Sequence, residues 1–189
     1  MNKLVFGKAE KPAQFIARTG ILLALTIVCQ WLTGLAKIQL LTGSVVNMFL
    51  FFASVSVGLL GGVVIGVCTP LIAFFLGLAG NIVLVPFIAV ANAIMVVTNA
   101  LLIKLFSVDY SDGLKNGKSD IFAVLSYAAA AVLKFLFMYF ICLGLLLPLV
   151  LPKVGDPVKV AFGITQLFTA LIGGTAAFVL SGVFGKTKI

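Results

Sequence analysis

Residues 127–142 read Tyr-Ala-Ala-Ala-Ala-Val-Leu-Lys-Phe-Leu-Phe-Met-Tyr-Phe-Ile-Cys, an apolar run interrupted by one cation, Lys134. Spanning a bilayer takes about 20 predominantly apolar residues in helical form, and this run sits inside a segment of that length. An unpaired ammonium near the centre of such a helix costs at least about 2.5–3.5 kcal/mol on insertion scales. Lys134 therefore needs a reason to be there: backbone carbonyls, a helix C-terminus, a water-filled cleft, or an anionic group on a ligand. The five carboxylates, Glu10, Asp109, Asp112, Asp120 and Asp156, all lie outside the long apolar segments, so no acid of the chain is placed to pair with it at depth. The buried acids of a proton- or sodium-driven pump are missing for the same reason.

Working outward, 189 residues with 62% hydrophobic and 10% charged side chains and a mean hydropathy of +1.29 describe a polytopic membrane protein. The apolar runs divide into six segments near 15–36, 43–61, 63–79, 86–106, 121–148 and 159–183. The expected breaks are Lys37 to Thr42, the Gly61-Gly62 pair, Gly77 to Asn81, Ser107 to Asp120, and Pro148 to Pro157. An all-α six-transmembrane-helix bundle, a single integral domain over 1–189, is the expected fold.

The net charge of +8 is spread along the chain and flanks apolar runs, so it argues for topology and against nucleic acid. With the N-terminus inside, Lys3, Lys8, Lys11, Arg18, Lys104, Lys115, Lys118, Lys186 and Lys188 fall on or near the cytoplasmic face, and only Lys37, Lys153 and Lys159 fall outside. That asymmetry predicts an N-in, C-in orientation. The N-terminal run lacks a small-x-small cleavage site followed by a polar mature chain, so it is expected to remain as the first membrane helix. Trp31 and Tyr110, near segment ends, fit an interfacial aromatic belt.

Catalysis at depth would need paired carboxylates, metal ligands or an activated nucleophile. Histidine is absent, and Cys29, Cys68 and Cys142 are scattered in apolar runs without a CxxC pair. No metal and no cofactor is expected, and the cysteines are expected to be buried thiols. There is no GxxxxGK[ST] phosphate loop, so uphill transport would draw its energy from a partner.

The polar groups left at membrane depth, besides Lys134, are neutral: Gln30, Asn47, Thr69, Asn92, Thr98, Asn99, Gln166, Thr169 and Thr175. Asn92 and Asn99 share a helical face with Met95 and Val96, and Gln166, Thr169 and Gly173 share another. Amides are costly in lipid and face protein or a water-accessible cavity, so they serve either as interhelical glue or as a pocket for a ligand rich in hydrogen-bonding groups. The apolar stretch Leu35 to Ser44 and the proline-stiffened stretch Pro148 to Pro157 are placed to cap such a cavity from outside. Most of the 17 phenylalanines are explained by lipid-facing packing.

On the first segment, Ala17, Gly20 and Ala24 lie at helical spacing, and the Gly20/Ala24 pair lets another helix approach closely. This face, the basic N-terminus before it, the six segments, the stretch Leu41-Thr-Gly-Ser-Val-Val-Asn47, and a Gly61-Gly62 inner turn followed by Thr69-Pro70 together resemble the substrate-binding S component of an energy-coupling-factor (ECF) vitamin transporter. The resemblance covers nearly the whole chain. It implies a six-helix bundle in the bacterial plasma membrane, surrounded by lipid, that captures a vitamin from outside and docks on a transmembrane coupling protein carrying two ATPases. The family docks through an alanine-x-x-x-alanine motif on the first helix; Gly20 and Ala24 are its counterpart here, glycine replacing the first alanine. By position, the resemblance places substrate contacts at Asn47, Asn81, Asn92, Lys134 and Gln166. Cobalamin is the first expectation for the ligand, then pantothenate, riboflavin or folate. Two other classes stay open: a stand-alone facilitator or exporter, and a structural membrane protein.

Overall fold

The computed structural model describes residues 12–78, 81–110, 117–150 and 155–185. Lys3, Lys8, Glu10, Lys11, Asp112, Lys115, Pro152, Lys153, Lys186 and Lys188, which entered the sequence argument, lie outside them. The described residues form an all-α bundle with six helices long and apolar enough to cross a membrane. These are α1 (Pro12–Gly34), α2 (Gln39–Ser56), α3 (Gly58–Phe75), α4 (Val85–Leu105) behind a 3₁₀ turn at Ile82–Leu84, α5 (Gly117–Leu136) with its continuation, and α8 (Ile164–Gly185). The continuation of α5 is a π-helical stretch, Phe137–Leu146, ending in the short α6 (Leu147–Val150); α7 (Asp156–Phe162) precedes α8.

Close approaches fix the relative directions. Position 61 meets Thr19 near the starts of α3 and α1, and Gly34 meets Leu78 near their ends, so these two helices run parallel. Gly62 lies on Val96 and Gly66 on Asn92, so α4 runs antiparallel to α3. The connections α1–α2, α3–α4 and α5–α8 consequently share one face of the bundle, opposite the start of α1 and the end of α8.

Four expected boundaries are corrected. Gly61-Gly62 is not a turn but lies buried within α3. The reversal falls at Val57-Gly58, where Gly58 takes φ of +79°, a conformation glycine adopts without penalty. Gly61 and Gly62 serve packing instead: a Cβ at Gly62 would lie 2.7 Å from Val96 Cγ1. At the other end, the segment expected to begin at 159 is split by Gly163, so that residues 159–162 belong to α7 and the spanning helix starts at Ile164. α2 begins at Gln39, which shortens the α1–α2 connection to 35–38. A smaller shift puts Asp120 inside the first turn of α5, where a carboxylate favours the helix dipole.

Tyr110 is also corrected. It is fully buried and its hydroxyl is hydrogen-bonded to that of Tyr127 at 3.0 Å, so it is part of the core and not of an interfacial belt. Phe51 packs edge-on against Tyr127 with centroids 5.0 Å apart. Trp31 remains exposed on α1. Of the cysteines, Cys142 is buried while Cys29 and Cys68 are half-buried, and all three are unpaired thiols.

The rest of the bundle follows the rules of an apolar solvent. Several hydroxyls within the spans return to their own backbone, as Thr26 does to Leu22 O and Ser126 to Phe122 O, because no water is there to satisfy them. Large apolar side chains such as Ile16, Leu60, Phe75 and Leu105 point outward, as lipid-facing residues do. The π-helical winding has a local cause in Pro148. It has no N–H for the Gly144 carbonyl four residues back, and just before it Leu147 N–H bonds five residues back to Cys142 O.

Candidate functional site

Proline at position 70 starts the construction of the site. Inside α3 it has no N–H for the carbonyl of Gly66, four residues earlier. Asn92 on α4 fills the gap, its Nδ2 donating to Gly66 O at 3.1 Å. The missing side chain at Gly66 permits this approach, since a Cβ there would already be 3.3 Å from Asn92 Cβ. With its nitrogen so engaged, Asn92 turns Oδ1 toward α5 and accepts from Lys134 Nζ at 2.8 Å.

Asn47 on α2 is set in the same way from the other side. Its Nδ2 donates to Thr169 Oγ1 on α8 at 3.2 Å, and its Oδ1 accepts from Lys134 Nζ at 2.6 Å. Gly173, one turn beyond Thr169, makes the contact possible: a Cβ there would sit 2.7 Å from Asn47 Cβ and from Ser44 O. Lys134 is thus held by two amide oxygens from two helices and is only 3% exposed. Both acceptors are neutral, so the ammonium is oriented and hydrogen-bonded without being neutralised.

These residues line a cavity of about 660 Å³. Its wall includes Lys37 and Ile38 from the α1–α2 connection, Gln39 at the start of α2, Leu78 and Asn81 from the α3–α4 connection, and Phe162 from α7. The cavity therefore belongs to the face that carries these connections, with Lys134, Asn47 and Asn92 toward the bundle interior. All five residues expected from the sequence, Asn47, Asn81, Asn92, Lys134 and Gln166, fall on its wall. They differ in what they do there. Asn81 caps the 3₁₀ turn by accepting from Val83 N–H at 2.9 Å, and Gln166 donates to Ala161 O at 2.9 Å, tying α8 to α7.

Gln30 and Lys37 also line the cavity but were not singled out for it. Gln30 carried a signal as an amide at depth, whereas Lys37 read only as a topological charge. Thr169 acts behind the wall, through Asn47. Other polar residues at depth are elsewhere: Asn99 donates to Ser54 Oγ at 2.7 Å deeper in the bundle, and the exposed Thr175 returns to Leu171 O. Of the two stretches expected to cap the cavity, Leu35 to Ser44 contributes directly. Residues 151–154 of the other lie outside the described chain.

A second concavity, about 870 Å³, runs along α3 and α4 and is lined by Val67, Leu71, Val90 and Val97, with Thr98 its sole polar residue. It is a groove between lipid-facing side chains and offers no orienting groups, whereas selective sites combine apolar walls with a few placed polar atoms. Among the described residues no cluster of metal-ligating side chains occurs.

On the outside of the bundle, Ala17, Gly20 and Ala24 of α1 are exposed, and among the described residues nothing beyond the helix's own backbone lies within 4 Å of where a Cβ on Gly20 would stand. The small-residue face is open to another helix.

A family model for the substrate-specific component of ECF transporters matches residues 14–183 of the chain. No curated protein and no solved structure matches it.

Proposed function

Because the chain belongs to the family of substrate-specific components of ECF transporters, we propose that its cavity captures a small vitamin from outside the bacterial plasma membrane and that α1 delivers the loaded subunit to the coupling protein. The observation that carries this reading is the convergence of Lys134, Asn47 and Asn92, from three helices, at one cavity on the face opposite the start of α1. A structural membrane protein has no need of a hydrogen-bonded cation facing a void, given what such a charge costs at depth. The charge asymmetry of the sequence supports an N-in, C-in orientation, which turns the cavity outward.

In this account Asn47, Asn81, Asn92, Lys134 and Gln166 form the substrate site, and Gly20 with Ala24 forms the docking face for the coupling protein. Two ATPases on that protein supply the energy. Cavity size bears on the ligand. At about 660 Å³ the space suits a compound of a few hundred daltons. A corrin with its nucleotide loop exceeds it, which moves cobalamin behind pantothenate, riboflavin and folate.

The test is uptake in cells expressing this chain with or without the coupling protein and ATPases. Vitamin accumulation that requires the partners and ATP supports the proposal. Equal flux through proteoliposomes containing this chain alone would assign it to the stand-alone facilitators.

A further inference from the structure

The charge of the cavity narrows the substrate class. Among the described side chains that line it, the charged ones are Lys37, exposed in the α1–α2 connection, and the buried Lys134. Both are cations, and no carboxylate is among them. Such a site favours an anionic guest and disfavours a cationic one by desolvation and repulsion together.

The hydrogen bonds around Lys134 point the same way. Asn47 and Asn92 each donate one Nδ2 proton, to Thr169 and to Gly66, and turn their oxygens to Nζ. A lysine ammonium has three protons. Two are taken by these oxygens, and the third is left for a guest. What the inner end of the cavity presents is a fixed positive donor, held in place by two amide oxygens. Gln30 adds the complementary feature: it lies on the cavity wall and its buried Oε1 has no partner among the described residues, so a turn of its amide gives an acceptor to a hydroxyl or amide N–H. Val46, Leu84, Ile88 and Phe162 supply apolar wall between these polar groups.

We infer that the substrate is a small organic carboxylate, seated with its anion on Lys134 and its uncharged hydroxyl- or amide-bearing body against Gln30 and the apolar wall. This rests on the capture function proposed above. Charge compensation then comes from the ligand, which explains a lysine retained at depth without an acid of the chain beside it. Hydrogen bonds to charged groups are the stronger kind, so losing the anion should weaken binding about 10- to 100-fold.

The experiment is equilibrium binding to the purified full chain with two sets of compounds. One set carries a carboxylate (pantothenate, biotin, nicotinate, folate); the other is neutral or cationic (panthenol, nicotinamide, riboflavin, thiamine). The expected result is binding from the first set, with the neutral isostere of the bound acid about 10- to 100-fold weaker. In Lys134→Gln, which keeps a donor to the two asparagines, the acid and its isostere should bind within a few-fold of each other. Tight binding of a neutral or cationic compound in preference to every acid would overturn the inference and leave the capture function standing. Discrimination undiminished in Lys134→Gln would overturn it as well. If no compound of either set binds, the capture function and the inference fall together.

Discussion

Asn92 donates through Nδ2 to the Gly66 carbonyl at 3.1 Å, the carbonyl that Pro70 deprives of its helical N–H. The same side chain holds Lys134 through Oδ1 at 2.8 Å. A helix defect in α3 thereby fixes the orientation of a cation on α5 through one amide on α4.

Removing that amide should be felt twice. Asn92→Ala leaves Gly66 O unpaired in an apolar interior, a loss of about 1–3 kcal/mol, and also frees one of the two tethers of Lys134. Thermal unfolding in detergent should show the first effect and ligand titration the second. In a Pro70→Ala background the backbone N–H of residue 70 becomes available to Gly66 O, so the stability loss from Asn92→Ala should shrink while the binding loss persists. A stability loss of the same size in both backgrounds would contradict the link between Pro70 and Asn92.

Gly173→Ala should disturb the site from the α8 side. The new Cβ would stand 2.7 Å from Asn47 Cβ and Ser44 O, closer than packed atoms tolerate, and overpacking of this kind costs about 1–3 kcal/mol. Both the unfolding temperature and ligand affinity are expected to fall, because Asn47 must move relative to Thr169. Unchanged affinity would show that the α2–α8 contact does not position Asn47.

Gly20→Leu and Ala24→Leu should separate capture from delivery. Both positions are exposed, and among the described residues no neighbour outside the local helix lies within 4 Å of a Cβ on Gly20, so the isolated chain should fold and bind ligand as the wild type does. Uptake in cells with the coupling protein and ATPases should fall sharply, since bulk on a small-residue face prevents close helix approach. Full uptake by both variants would remove the docking role from this face.

Tyr110 predicts a pH dependence at the alkaline end. Burial, and then its neighbour Tyr127, push the Tyr110 phenol up from its ordinary value of 10.0. The folded state therefore holds this proton more tightly than the unfolded one. The stabilisation is fully present below about pH 10 and is lost as the pH rises beyond it, because only the unfolded chain then gains by ionising. Unfolding temperatures measured between pH 8 and about pH 11 should drop more steeply for the wild type than for Tyr110→Phe. Parallel curves would contradict the assignment.

Hydropathy made the six spans legible because lipid demands long apolar helices with every backbone group satisfied internally. Polar residues at depth were likewise visible, and Asn47, Asn92, Lys134 and Gln166 do line one cavity. Composition could not say which amides meet. Asn92 and Asn99 share a face of α4, yet Asn92 reaches Lys134 while Asn99 reaches Ser54, a difference set by which helix each depth meets. The glycines misled at Gly61-Gly62 because a pair of small residues serves a turn and a close helix contact equally well. The left-handed φ at Gly58 and the 2.7 Å approach at Gly62 separate the two uses. Tyr110 looked interfacial by position, and only its partner Tyr127, 17 residues away in sequence, makes it core.

Native mass spectrometry of the gently purified chain addresses the central claim most directly. The account predicts a one-to-one adduct of a few hundred daltons, a carboxylate-bearing vitamin by its exact mass, present on the wild type and depleted in Lys134→Gln. A folded wild-type chain that carries no adduct, even after incubation with the carboxylate and neutral vitamin sets, would contradict a capture function for this cavity.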